Sequence, residues 1–202
     1  DATGLGRIHR FSLPSELGLS CPIVPHPNYL VSVKSSPRSI AIGPGWEDNK
    51  GNKYWLADFT DEIEKVTVKD VKEKVEEIQF KVTYTGKFEN CNSVTEFYRL
   101  NTSGLEIEDR ILASARAIMV QIPLLKTDGL NSSRVELGKG WFKVKYMNYL
   151  YKVECLEPKM ADTFLEPFSV PNRNGIYQVG CFRTRGSYIK YRISLLGISS
   201  TG

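Results

Sequence analysis

The dominant pattern along the chain is alternation. Ile78, Phe80, Val82 and Tyr84 occupy every second position. The same period of two recurs over Val94–Leu100, Leu105–Leu112, Ala117–Leu124, Arg134–Leu137, Trp141–Met147, Tyr149–Leu156, Ile176–Thr184 and Ser187–Leu196. A strand sends successive side chains to opposite faces, so this period predicts strands with one buried face. Gly, Asn, Asp or Pro separates the runs, as turns require. Shorter strands are predicted at Ile8–Leu13, Tyr29–Val33, Ser39–Ile42 and Tyr54–Phe59. In the hairpin around Asn101–Gly104, Leu105, Ile107 and Asp109 share one face, and Glu106, Glu108 and Arg110 the other. Asp109 on the apolar face is an inconsistency that predicts a bulge or a strand end there.

Two segments break the pattern. Residues 14–28 carry Pro14, Pro22, Pro25 and Pro27, too many for regular structure, and are read as a long surface loop. Val68, Val71, Val75 and Ile78 recur at three- and four-residue steps, as in a charged helix, whereas Val66 and Val68 alternate; 66–76 is left undecided. Gly43–Gly45 reads as a corner, and Trp46–Asn52 as the polar loop it opens. The fold class expected is all-β, an antiparallel two-sheet sandwich of roughly a dozen strands with little helix. No repeat and no low-complexity linker divides the chain, so 1–202 is read as a single domain.

The 202 residues, 41% apolar and 25% charged, have globular composition. A net charge of +4, from 27 basic and 23 acidic groups mixed along the chain, lacks the clustered patch of a nucleic-acid binder. No apolar run reaches the roughly 20 residues of a membrane span. The first residue is Asp1, so the chain is expected to be part of a longer protein.

The residue types for catalysis do not assemble. There is no G-x-S-x-G elbow, and the two histidines, His9 and His26, lie in or near the proline-rich region. Gly4-Leu5-Gly6-Arg7 has neither the strand before nor the helix after that a phosphate loop needs. Carboxylate pairs such as Glu106/Glu108 and Asp58/Asp61 are ordinary for a charged β protein. Glu47-Asp48-Asn49 offers oxygen ligands but reads as a surface loop, so no metal site and no cofactor is expected. Cys21, Cys91, Cys155 and Cys181 form no C-x-x-C pair. Cys155 and Cys181 sit in strand-like runs as buried apolar residues, and a disulfide in an exported protein would involve Cys21 or Cys91. Asn101 and Asn131 head N-x-S/T sequons in turns, consistent with glycosylation on export.

Aromatic residues carry the functional signal. Trp46 in a glycine-rich loop, with Tyr54 and Trp55 opening the next strand, offers rings that stack on sugars, while Asp48, Asn49 and Asn52 offer hydrogen bonds. Arg7 and His9 join this carbohydrate-binding set if the N-terminal segment packs against the hairpin. The competing reading makes Tyr54 and Trp55 core or sheet-surface residues.

Three segments carry a resemblance. Phe97-Tyr98-Arg99-Leu100, the turn, and Gly104-Leu105-Glu106-Ile107-Glu108-Asp109-Arg110 resemble a hairpin of the large β-sandwich lobes of carbohydrate-active enzymes. Tyr188–Ser194 is similar to strands closing the C-terminal sheet lobe of heparinase-like polysaccharide lyases, and Gly6–Ser12 resembles linking segments of such proteins. The resemblance implies a supersandwich-like lobe, a polysaccharide partner, and a neighbouring catalytic domain that holds the catalytic residues, none of which carries over to this chain. The expected function is that of a non-catalytic β-sandwich domain of an exported carbohydrate-active protein, secreted, periplasmic or at the cell surface. The alternative is a recognition ectodomain of a cell-surface or viral glycoprotein that acts by protein contact.

Overall fold

In this computed structural model, residues 5, 7–18, 40–172 and 174–197 are described. They form thirteen strands: β1 (Gly43–Glu47), β2 (Lys53–Trp55), β3 (Ile63–Lys74), β4 (Glu77–Gly86), β5 (Cys91–Asn101), β6 (Gly104–Ala113) and β7 (Ala117–Thr127), followed by β8 (Arg134–Gly138), β9 (Trp141–Tyr146), β10 (Tyr149–Glu157), β11 (Asp162–Asn172), β12 (Gly175–Thr184) and β13 (Tyr188–Gly197). A 3-10 segment, Leu56–Glu62, lies between β2 and β3. All pairings are antiparallel. One sheet has the order β11-β12-β7-β1-β2 and the other β3-β4-β5-β6-β13-β10-β9-β8. The all-β, two-sheet expectation therefore holds. Among the described residues no helix is long and apolar enough to cross a membrane.

The alternation read from the sequence becomes the sandwich interior. Val82 and Tyr84 of β4, Val94 and Tyr98 of β5, Leu105, Ile107 and Ile111 of β6, and Ile189, Tyr191 and Ile193 of β13 are all buried. From the smaller sheet, Phe182 meets Phe142 of β9 with ring centroids 5.0 Å apart. Burial of such side chains supplies about 1.5–3 kcal/mol each before entropy is counted.

Several local readings are corrected. The undecided 66–76 segment is the edge strand β3, paired with β4 and interrupted by a register shift between Lys69 and Lys72, where Asp70 takes a positive φ of 56°. That bulge resets the alternation, which is why its valines mimic a helical step. Ile8–Leu13 is not a strand: residues 8–10 are irregular and turns follow to Gly18. The expected strand at Tyr29–Val33, the segment 19–28 of the proline-rich loop, and Cys21 and His26 lie outside the described residues. Tyr54–Phe59 is a strand only to Trp55 before it tightens into the 3-10 segment. β11 has no counterpart in the sequence reading, because Pro167 and Pro171 interrupt it. It is an edge strand whose register shifts between Leu165 and Ser169, and an edge with a bulge is where proline is tolerated.

Candidate functional site

The expected platform at 43–59 does not exist as an open loop. Gly43–Glu47 is strand β1, paired with β7 on one side and β2 on the other. Pro44 sits beyond the end of β2, where β1 is an edge on that side and the lost N–H is tolerated. Trp46 is 0% exposed. Its ring stacks on Phe59 and Tyr54 and tilts against Phe88, and its Nε1 donates to the Glu89 carbonyl at 2.7 Å. Trp55 is also buried. A Cβ on Gly45 would lie 2.4 Å from the Trp55 ring, so only glycine admits that ring. The expectation that Trp46 presents a free stacking face is thereby corrected: its faces are already covered by aromatic rings of this chain.

The polar members serve the turn. The Asp48 carboxylate accepts from the backbone N–H groups of Lys50 and Asn52 at 2.8 and 2.9 Å, from Asn52 Nδ2 at 2.8 Å and from the Tyr54 hydroxyl at 3.3 Å. The Asn52 side-chain bond leads in holding its pKa below the usual range. Asn49 and Asn52 are exposed at the turn and Tyr54 is half-buried. Arg7 and His9 are exposed elsewhere. Ile8 N–H donates to the Gly18 carbonyl, Arg10 donates to the Leu195 carbonyl at 2.7 Å, and His9 lines a hollow with Leu100, Gly104 and Leu105. That hollow lies at the β5–β6 turn, whereas Trp46 meets Glu89 at the opposite end of the 11-residue β5. At ~3.3 Å per residue the two are about 30 Å apart. Arg7 and His9 therefore do not join the hairpin.

A different surface gathers rings and charges. On the outer face of the larger sheet, β4 presents Gln79, Lys81 and Thr83, and β5 presents Thr95, Phe97 and Arg99. β6 adds Glu106, Glu108 and Arg110, and β13 adds Tyr188, Lys190 and Arg192. Two adjoining hollows of about 330 and 360 Å³ lie here and share Lys81 and Phe97. The Arg110 guanidinium lies 5.5 Å from the Phe97 ring centroid and 5.4 Å from that of Tyr188, and Lys81 Nζ stands 5.7 Å from Phe97. The ring quadrupoles attract these cations and hold them at the surface. Phe97 stays 36% exposed, and the Tyr188 hydroxyl donates to Glu157 at 2.7 Å, which fixes its ring.

Acids on the same face partly offset the cations. Glu106 pairs with Arg192, with Lys190 at 3.6 Å and with Arg99 at 4.0 Å. Burial resists ionisation of Glu106, but the Arg192 bond and the surrounding positive charge outweigh it and hold the carboxyl below its usual range. Glu77 is held low chiefly by its hydrogen bond from Arg99, and Asp70 by that from Lys81. Lys72, Lys81, Arg99, Arg110, Lys190 and Arg192 face Asp70, Glu77, Glu106 and Glu108, which leaves a cationic excess around an apolar ring. Side by side, the rings offer stacking to a flat apolar face and the cations offer pairing to an anion. Among the described residues it contains no histidine or cysteine, and no cluster of metal ligands occurs.

Sequence reasoning passed over Phe97 as a contact residue, although a signal was present. An aromatic residue on the polar face of an alternating strand, with Arg110 on the polar face of the next, is a ring that the core does not claim. Of the cysteine expectations, burial of Cys155 and Cys181 in strands holds, and a disulfide at Cys91 does not appear. Cys91 opens β5 as a buried thiol, Cys155 and Cys181 are buried in β10 and β12, and none of the three is in a disulfide.

No family model and no curated protein matches the chain. Solved structures do match its fold. Heparan sulfate lyase HepC from Pedobacter heparinus superposes with a TM-score of 0.53 and 11% identity, over 66% of this chain and 22% of that one. A heparinase III gives 0.52 and 12%, over 68% and 22%. A weaker likeness, 0.49 at 12% identity, extends to the α-N-acetylgalactosaminidase NagBb from Bifidobacterium bifidum, over 83% and 31%. The chain spans about a fifth of the length of the two lyases. Its fold is thus similar to part of the heparinase-type polysaccharide lyases, as the sequence resemblance implied, and at these identities the likeness is one of fold.

Proposed function

We propose that residues 1–202 are a single non-catalytic β-sandwich domain of an exported carbohydrate-active protein, one that contacts an anionic polysaccharide through the outer face of its larger sheet. The observation that carries this reading is the placement of Arg110 between the Phe97 and Tyr188 rings beside two shared hollows. A ring binds the apolar face of a sugar while guanidinium and ammonium groups bind its carboxylates or sulfates. The fold likeness to carbohydrate-active enzymes supports the same class of partner. Catalysis is assigned to a neighbouring domain of a longer protein. Asn101 and Asn131, at the β5–β6 turn and in the β7–β8 loop, are the proposed glycosylation sites.

Affinity electrophoresis tests the reading. Migration should be retarded in gels containing a sulfated or uronate-rich polysaccharide, not in gels containing a neutral glucan, and salt should relieve the retardation. Equal mobility in all gels overturns it. One observation favours protein contact instead: Val66, Val68 and Val71 are exposed along the β3 edge, with Val75 exposed at the turn that follows, and such an edge invites a partner. A protein partner bound there, together with no glycan retardation, would establish that second reading.

A further inference from the structure

Asp109 is neither at a bulge nor at a strand end. It lies in regular pairing, directly opposite Glu96 of β5 and opposite Ile189 of β13. Both acids point into the sandwich; Glu96 is 1% exposed and Asp109 0%. Directly opposed residues of an antiparallel pair bring their Cβ atoms to roughly 5 Å. Two carboxyl groups are thus held side by side in the core. Glu96 Oε2 and the Asp109 carboxyl oxygens make no hydrogen bond of good geometry, and the Tyr191 hydroxyl, also without one, is the polar neighbour closest in effect to Asp109.

Among the described residues the surroundings hold no counter-charge. On the same sheet face the titratable neighbours are Tyr84 of β4, Tyr98 of β5, Tyr191 of β13 and Tyr151 of β10. Lys81, Arg110, Lys190 and Arg192 belong to the outer face, as does Glu108, whose negative charge adds to the opposition. From the smaller sheet, Phe182 and Trp46 mark the inward positions by their ring contacts with Phe142 and Phe88. Their register partners, Val120 and Ile118, share that face, and so does Pro44, opposite Val120. None of these carries a charge.

Two like charges in an apolar core without a cation are far costlier than two acids that keep a proton. We propose that Glu96 and Asp109 form a proton-sharing acid pair inside the sandwich, a pH-sensitive lock that holds the two sheets together while protonated and loosens them when it ionises. The ionisation releases the shared proton to water and leaves two adjacent carboxylates buried in the interior between the sheets. Burial, the first cause, raises the pKa of Glu96 although the Tyr98 and Tyr84 hydroxyls pull the other way. Burial and the charge of Glu96 raise that of Asp109. Both groups titrate near pH 4 in an unfolded chain. The folded state therefore binds more protons from about pH 4 upward, and its advantage is lost as pH rises through the folded values.

The test is urea unfolding of the full chain between about pH 6 and pH 8, above the range in which Asp128 and the other depressed carboxyls titrate and below that of the buried thiols. The folded-to-unfolded ratio should fall as pH rises, by up to about tenfold per pH unit for each group titrating. E96Q/D109N removes both ionisations, and its slope over this range should be flatter than that of the wild type. A wild-type ratio that is level or rises with pH, or a double variant with the full wild-type slope, overturns the proposal. If the double variant does not fold, infrared spectroscopy of the wild-type chain decides: at neutral pH a protonated buried carboxyl band should be present, and its absence overturns the proposal.

Discussion

Trp46 lies flat on Phe59, with ring centroids 5.6 Å apart and planes inclined by 18°. This pair ties β1 to the 3-10 segment, and Phe88 closes it from the β4–β5 connection. Trp46→Ala should therefore cost about 3–5 kcal/mol of stability, the range for emptying a large aromatic site in a core. Urea denaturation would measure it, and a loss below about 1 kcal/mol would show that the ring does not pack as described.

Arg110 makes the opposite prediction. It is exposed, so Arg110→Ala should leave stability within about 0.5 kcal/mol of the wild type. Binding to a sulfated polysaccharide should weaken about tenfold, or ~1.4 kcal/mol, since the substitution removes a cation and releases both rings it lies between. Phe97→Ala should weaken binding similarly but leave more of the salt dependence intact, because it removes a ring and no charge. Titration calorimetry at two salt concentrations separates these effects.

Cys91 and Cys155 should resist alkylation in the native protein. Burial pushes the Cys91 thiol up to about 11 and the Cys155 thiol up to about 12, and the thiolate is the reactive form. Mass spectrometry after brief treatment with iodoacetamide at neutral pH should find both unmodified, and both labelled once urea is added. Rapid native labelling of either would contradict its place in the core.

Asp128 contributes to stability on the acid side. Its carboxylate accepts the Asn131 and Leu130 N–H groups and the Tyr146 hydroxyl; the Asn131 backbone bond leads in drawing its pKa far down. A depressed folded value contributes stability above the unfolded value near pH 4, and this is lost as pH falls below it. Asp128→Asn should lower stability at neutral pH and flatten the decline between about pH 4 and pH 2. An unchanged acid limb in chemical denaturation would show that this turn is not responsible.

The inward and outward faces of β4, β5, β6 and β13 were legible in the sequence because a strand side chain has two choices of face, and hydrophobic residues at every second position decide between them. That pattern alone determined an all-β fold with antiparallel hairpins, and it marked Asp109 as inward-facing. Its bulge was wrongly expected because the pattern does not reveal Glu96 on the neighbouring strand. The tertiary structure decided the rest. Gly43-Pro44-Gly45-Trp46 has the chemistry of a turn, yet pairing on both sides makes it a strand, since non-local hydrogen bonds and burial of a tryptophan outweigh weak local preferences. The outer cleft had to wait for the fold as well: Phe97, Arg110 and Tyr188 stand on three strands, and only the placement of β13 beside β6 brings the distant tyrosine against the arginine.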